Sequence, residues 1–328
     1  MMDMFLSCDW GTSALRLNLV DGKTGHVIAG ESSAQGIAKT FTLWNTISGA
    51  DENNLRMAFY LNILQQHINN IGAGLNISLN GVRLFISGMA SSSIGFMELP
   101  YSELPFALTG PDLNIKHLPA QEGFDHAISI ISGVKSTDDV MRGEETQLIG
   151  CIDVTGGIIN DEVFIFPGTH SKHIHVNGNK VTGFKTYMTG DFFELLSQKS
   201  ILTNSVEKED DIQDPEYLES FKQGVSDAVN SNPLNAVFKV RTNNLFSVYT
   251  KKQNFTYLSG LLIGSELKDL ITLGSETIHL LCGSGLEKYY RIALEQLGLS
   301  KKIKTYSPQW VDEAVVRAHY KIHSQISS

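Results

Sequence analysis

The segment Phe5-Leu6-Ser7-Cys8-Asp9-Trp10-Gly11-Thr12-Ser13 runs from an apolar strand into a turn of small residues, with a carboxylate where the strand ends. In residues 14–21, Leu15, Leu17 and Leu19 alternate with Arg16, Asn18 and Val20, the period of a strand. A tight Gly-Thr-Ser turn joins the two into a hairpin. A second turn, Asp21-Gly22-Lys23-Thr24-Gly25, leads to Val27-Ile28 and extends it to a three-stranded antiparallel meander. Leu55, Phe59, Ile63, Leu64, Ile68 and Ile71 then fall at helical spacing, and residues 82–86 read as a strand, so a helix feeds a parallel sheet.

The same layout returns further on. Residues 162–166, the turn Pro167-Gly168-Thr169-His170-Ser171, residues 173–176 and the turn Asn177-Gly178-Asn179-Lys180 repeat the opening in architecture, not in residue identity. Between the two copies lies a loop rich in Ser, Gly and Pro (88–119), then Val140-Met141-Arg142-Gly143-Glu144 leading into a helix through Ile149. Helices are predicted over 191–199, 215–230, 234–246 and 257–270. The strand 277–282 turns through Gly283-Ser284-Gly285 into a helix over 286–297, and an amphipathic helix over 311–322 closes the chain.

Bulk properties bound the function. A chain of 328 residues exceeds what one core serves, which predicts two domains, 1–154 and 155–328, joined by a hinge with helix 311–322 at their junction. With 42% hydrophobic residues, 19% charged residues and 29 glycines the chain is neither disordered nor fibrous. A net charge of −9 without a basic run argues against nucleic acid, so an anionic ligand must be held locally. No basic segment precedes an apolar stretch at the N-terminus, and no apolar run approaches a membrane span; the expected location is the cytoplasm, with no membrane partner and a homo-oligomer left open. Cys8, Cys151 and Cys282 lack metal-like spacing and read as buried, reduced thiols.

Three turns after strands carry the chemistry. Asp9-Trp10-Gly11-Thr12-Ser13 can aim backbone amides and hydroxyls at a phosphate, and Asp9 could hold magnesium through water. Pro167-Gly168-Thr169-His170-Ser171-Lys172 offers glycine backbone, two hydroxyls and an ammonium group to the β- and γ-phosphates of a nucleotide. Gly283-Ser284-Gly285 opens a helix with little steric cover, where a nucleotide can approach closely. Each alone also fits an ordinary capped turn or polar loop. There is no dinucleotide fingerprint, since Gly283-Ser284-Gly285-Leu286-Glu287-Lys288 lacks the third glycine, and no P-loop. His170, His173 and His175 read as strand and loop histidines, Gly260 and Gly264 as close helix packing, and the acidic run 207–211 as a solvated, mobile surface segment.

Taken in order, Asp9-Trp10-Gly11-Thr12-Ser13 with Arg16, Met141-Arg142-Gly143-Glu144-Glu145-Thr146-Gln147, Pro167-Gly168-Thr169-His170-Ser171-Lys172, Thr189-Gly190-Asp191 and Leu258-Ser259-Gly260-Leu261-Leu262-Ile263-Gly264 resemble the 2-dehydro-3-deoxygalactonokinase family. The resemblance implies an actin-like α/β fold of two ribonuclease H-like domains with a nucleotide cleft between them. It also implies ATP and Mg2+ as cofactors, and phosphorylation of 2-dehydro-3-deoxy-D-galactonate, a small sugar acid, at its terminal hydroxyl in galactonate degradation. In that scheme Gly11, Thr12 and Ser13 form the phosphate 1 loop, Gly168, Thr169, His170, Ser171 and Lys172 the phosphate 2 loop, and Gly283, Ser284 and Gly285 the adenosine loop. Asp9, Thr12, Thr169 and Gly283 should then meet in one crevice.

The sequence departs from the pattern at specific places. Phe166-Pro167 stand where the superfamily's second loop opens with Asp, leaving Asp9 as the carboxylate on the metal side. The segment 88–98 lacks a basic residue near Ser93 and a Trp near Phe96, and Asp191 stands where Glu is frequent. A base for the attacking hydroxyl is sought in Glu144 or Glu145, with Asp191 next. Adjacent helical residues point about 100° apart, so only one of the two glutamates should face the cleft squarely. Arg142 is the candidate for the substrate carboxylate, with Met89, Ser91, Ser92 and Tyr101 around it; Arg16 is either a site neighbour or a solvent-facing strand residue. Two other readings stay open. The Arg142-Gly143-Glu144-Glu145 run resembles exopolyphosphatases and suggests a polyphosphate or nucleotide phosphohydrolase; the missing Asp suggests a non-catalytic nucleotide-binding protein.

Overall fold

The computed structural model describes residues 3–47, 53–110, 112–152, 161–272 and 277–327. The chain divides into two compact units, one of Met1–Ile158 with Asn179–Gly183 and Gln309–Ser328, the other of Ile159–Gly178 with Phe184–Pro308. The boundary expected at 154/155 lies outside the described residues.

In the first unit the chain runs β1 (Met4–Trp10), β2 (Leu15–Asp21), β3 (Val27–Ser33), α1 (Ile37–Ile47), α2 (Asn53–Leu75) and β4 (Arg83–Gly88). It continues through β5 (Ser102–Glu103), β6 (Phe106–Ala107), β7 (Ile115–Leu118), β8 (Ile128–Ile131), β9 (Val134–Lys135), β10 (Val140–Met141) and α3 (Glu144–Cys151). The main sheet has the order β3-β2-β1-β4-β8-β7; β1 pairs antiparallel with β2 and parallel with β4, and β4 parallel with β8. β1 is central and covered on both faces, which is why it reads as a continuous apolar run while β2 alternates. Leu6, Cys8 and Trp10 join Leu64 and Ile68 of α2 in the core. Because side chains alternate along a strand, Phe5, Ser7 and Asp9 share the other face.

The second unit repeats this plan with β11 (Glu162–Phe166), β12 (Ser171–Asn177), β13 (Lys180–Tyr187), α4 (Thr189–Lys199), α5 (Pro215–Asn230), α6 (Pro233–Leu245), α7 (Lys251–Leu267), β14 (Thr277–Leu280), α8 (Ser284–Gln296) and β15 (Ile303–Thr305). Its order is β15-β14-β11-β12-β13, and the Lys180–Val181 end of β13, which groups with the first unit, pairs with β6. β11 is antiparallel to β12 and parallel to β14, as β1 is to β2 and β4. Both sheets thus follow the ribonuclease H-like order of the actin-like fold. Local sequence fixes the helix starts: Asp214 and Asn232 cap α5 and α6 ahead of Pro215 and Pro233, and Thr250 with Gln253 forms a capping box on α7.

Helices α5 and α7 touch backbone to backbone. A Cβ on Gly260 would lie 2.1 Å from the Phe221 carbonyl oxygen, and one on Gly224 would lie 2.2 Å from that of Tyr257.

The chain then returns to the first unit through α9 (Pro308–Asp312) and α10 (Ala314–Ser327). There α10 covers the Phe5/Ser7 face of β1: Ser7 Oγ lies 2.8 Å from His319 Nδ1, and the Phe5 ring stacks on His323 at 4.8 Å. It also closes the C-terminus of α3. Arg317 Nε donates to Gly150 O and Lys321 Nζ to Ile149 O and Ile152 O, supplying partners and positive charge where helical carbonyls lack both. The three cysteines are buried and unpaired, as expected, and no helix among the described residues is long and apolar enough to cross a membrane.

Gly260→Ala forces the α5–α7 pair apart and should lower unfolding free energy by about 1–3 kcal/mol. A urea denaturation midpoint equal to that of the wild type would show that the close approach is dispensable.

Candidate active site

In the first unit the site begins at the end of β1. Asp9 lies opposite Arg16 on β2 and Ser87 on β4, with Arg16 Nη1 3.2 Å from its Oδ2. Arg16 is exposed on its strand and pairs with Asp9. Burial raises the Asp9 carboxyl above its ordinary value; Arg16 opposes this and the charge of Glu144 adds to it. Gly88, with φ +87°, closes the end of β4 against this point, since a Cβ there would meet Trp10 O at 2.8 Å.

The turn after β1 is tied down by its backbone. Gly11 N donates to Ala14 O, while Ile37 N and Ala38 N donate to Gly11 O and Thr12 O. Gly36 permits this, because a Cβ there would lie 2.3 Å from Thr12 O. Thr12 and Ser13 remain exposed.

Arg142, Glu144 and Glu145 gather where α3 starts. Gly143 has φ +107°, which turns the chain so that two carboxylates fold back on backbone amides: Glu144 Oε2 accepts from Arg142 N at 3.0 Å and Glu145 Oε2 from Gly143 N at 2.7 Å. Both glutamates bond backbone, but only Glu144 keeps exposure; Glu145 is fully buried, with Thr146 Oγ1 on its other oxygen at 2.9 Å. Burial, reinforced by the neighbouring charge of Glu144, pushes the Glu145 carboxyl up to about 7.

The Arg142 guanidinium is fixed from two sides. Its Nη1 donates to Ser91 O and Ser91 Oγ, both at 2.6 Å, and it lies 4.3 Å from the centre of the Tyr101 ring. Ser91 and Tyr101 thus hold Arg142. The Ser92 hydroxyl, expected to reach substrate, instead bonds Met89 O at 2.7 Å. Near Ser93, Arg56 Nη1 of α2 donates to Ser93 O.

The second unit holds a cavity of about 550 Å3. Gly168 and Thr169 line it beside Thr189 and Gly190 at the start of α4, with Ser259 and Leu262 of α7, and Gly285 and Tyr290 of α8. Space beside Gly168, Gly283 and Gly285 is open, since a Cβ on any of them would meet nothing within 4 Å. Gly190 is there for closeness: its Cβ would come 2.7 Å from Thr169 Cα. Asp191 belongs to this turn: its N donates to Thr169 O, and its Oδ2 lies 3.8 Å from His170 Nε2. Gly283 and Ser284 stand at the start of α8, which has no side-chain cap.

Two residues of the expected phosphate 2 loop turn inward. Ser171 is buried and donates from Oγ to Glu266 Oε1 at 2.6 Å; Lys172 is also buried, with Nζ 3.3 Å from His170 O. Glu266, on α7, was not singled out by the sequence as a site residue. It also accepts from His173 Nε2 at 2.9 Å, from Tyr290 OH at 2.7 Å and from Thr189 Oγ1. Of the acidic run, Glu207, Lys208, Asp210 and Asp211 are exposed, as a solvated surface segment should be. Glu209 and Asp210 line the cavity, Glu209 accepting the amides of Asp210 and Asp211 and pairing with Lys252 at 3.1 Å.

Glu145 has a measurable consequence. Because burial favours its protonated form, the folded protein holds a proton that the unfolded chain releases between pH 4.5 and about 7, so stability falls as pH rises through that window. Glu145→Gln should therefore gain about 3 kcal/mol relative to wild type between pH 4 and pH 8, read from urea unfolding. A difference independent of pH would show that Glu145 ionises normally.

Comparison with known proteins shows the family. A model of the 2-keto-3-deoxy-galactonokinase family matches residues 9–316. A protein of Rhizobium meliloti (strain 1021) named "probable 2-dehydro-3-deoxygalactonokinase" is 31% identical over 309 residues, 90% of each chain. The 2-dehydro-3-deoxygalactonokinase of Escherichia coli (strain K12) is 29% identical over 222 residues, covering 65% of this chain and 70% of its own. A crystal structure of a Sinorhizobium meliloti protein provisionally named for the same activity superposes with a TM-score of 0.78 at 29% identity, covering 98% of this chain and 96% of the other. With its motifs in family order and the match spanning nearly its whole length, the chain belongs to the 2-keto-3-deoxy-galactonokinase family.

Proposed function

We propose that the protein is a kinase that transfers the γ-phosphoryl group of ATP to the terminal hydroxyl of 2-dehydro-3-deoxygalactonate. The family match across residues 9–316 carries this reading; the site residues supply the roles. The cavity of the second unit takes the adenosine, with its apolar walls around the base and the open start of α8 near the negative charge. Amides of the exposed turns at Thr12-Ser13 and Gly168-Thr169 bind phosphate oxygens. Ser171 is left out of that role, its hydroxyl being committed to Glu266.

Arg142 takes the substrate carboxylate. A guanidinium already oriented by Ser91 and Tyr101 loses little freedom on binding an anion in its fork geometry. Glu144 is the general base: it is partly exposed and held by the Arg142 amide, whereas fully buried Glu145 positions the turn. The substrate hydroxyl oxygen bonds to the γ-phosphorus as the bond from phosphorus to the β,γ-bridging oxygen breaks; the hydroxyl proton passes to Glu144 and ADP leaves.

Asp9 is the residue for Mg2+. Its carboxyl is disfavoured as an anion by burial and by Glu144, and a cation relieves both. No group of three or more metal-ligating side chains occurs among the described residues, which suits Mg2+ because that ion is commonly held by one or two carboxylates, water and phosphate. When bound, Mg2+ would neutralise phosphate charge.

A coupled ADP-release assay tests the reading. ADP should form only with the sugar acid present; Asp9→Asn and Glu144→Gln should each lower kcat about 100-fold or more with circular dichroism unchanged. Arg142→Lys should raise KM for the sugar acid more than it lowers kcat. ADP or phosphate release that no acceptor increases would instead indicate a phosphohydrolase.

A further inference from the structure

The second unit has another cavity, of about 590 Å3, that the kinase chemistry does not use. Two pairs of alternating strand residues face it, His173 and His175 on β12 and Lys185 and Tyr187 on β13, with Lys268 and Asp269 after the end of α7. Lys185 and Lys268 bring two ammonium groups to this cavity, with Asp269 on its lining and Glu266 behind His173. Among the described residues, neither Lys185 nor Lys268 is in an ion pair. Burial pushes the Tyr187 hydroxyl up to about 12, so it remains a donor.

His173 joins this cavity to the one assigned to the nucleotide. Its side chain is 2% exposed and its Nε2 bonds Glu266, while Nδ1 has no partner among the described residues and the ring lines the second cavity. Glu266 also receives Thr189 and Tyr290, which line the first cavity.

We propose that this second cavity binds a small phosphate-bearing anion, and that its occupancy weakens nucleotide binding through His173 and Glu266. The anion site stands on its own; its effect on the nucleotide rests on the reading of the first cavity given above. An anion accepting a proton from Nδ1 requires one of two rings. A doubly protonated ring draws Glu266 towards itself, and the other neutral tautomer gives up the Nε2 bond to Glu266. Either change disturbs the carboxylate on which Thr189 and Tyr290 depend, and linkage makes the coupling reciprocal.

Calorimetric titration of ADP into wild-type protein and a Lys185→Ala/Lys268→Ala double variant, with and without inorganic phosphate, decides the matter. Phosphate should raise the ADP Kd of the wild type about fivefold and leave that of the double variant unchanged, with equal ADP affinities in its absence. Phosphate competing inside the nucleotide cavity would raise both equally and overturn the proposal, as would no effect on either protein. Should ADP bind neither protein, the nucleotide reading falls, and direct titration of phosphate judges the anion site alone. Binding that the double variant loses supports the site; equal binding, or none, removes it. Substituting the phosphorylated sugar acid for phosphate identifies the source: tighter binding than phosphate points to a metabolite ester, weaker binding to the free ion, and both keep the site.

Discussion

Ser171, His173, Thr189 and Tyr290 all direct a donor at the carboxylate of Glu266, whose side chain is 1% exposed. A carboxylate this deep costs several kcal/mol if left unpaired, and each hydrogen bond to a charged group contributes about 1.5–3 kcal/mol, so the arrangement is favourable only with its donors in place. Those donors come from β12, the start of α4 and α8, and the acceptor from α7. One buried carboxylate therefore ties together the wall of the cavity assigned to the nucleotide, and it explains why Ser171 of a phosphate-like loop turns inward.

In the first unit the governing constraint is the alternation along β1. Even-numbered residues 6, 8 and 10 enter the core with α2, so Asp9 must lie with Phe5 and Ser7, on the face that α10 covers and where Glu144 acts on it electrostatically. The turn at Gly143 then separates two adjacent glutamates that look equivalent in sequence. Glu144 keeps access to solvent; Glu145 is buried, where desolvation raises its carboxyl to about 7. Their difference arises from packing.

Much of the fold was legible because it rests on local periodicity. The two meanders, the buried cysteines, the 215–230 helix with its Asp-Pro start and the repeat of strand order all follow from alternation, turn residues and caps. What escaped depends on distant partners. Helix α1 is not predicted; its start is set by Gly36 passing under the Thr12 turn. Glu266 sits beside Ser265 and reads as the polar edge of a helix until β12 and α8 close over it. The acidic run 207–211 reads as a solvated loop and is mostly exposed, but the pairing of Glu209 with Lys252 and its place beside the cavity depend on distant partners. Of the expected site residues, Gly168, Thr169 and Gly285 line the cavity. Ser171 and Ser92 carry the right chemical groups, but those groups are spent on internal bonds.

Glu266 is the organiser of the cavity assigned to the nucleotide. Calorimetric titration of a non-hydrolysable ATP analogue into Glu266→Gln, with near-ultraviolet circular dichroism to verify folding, tests this directly. An amide keeps the volume but replaces one acceptor with a donor facing other donors, so affinity should fall about tenfold or more in a folded protein. A folded variant that binds the analogue as tightly as the wild type would contradict the account.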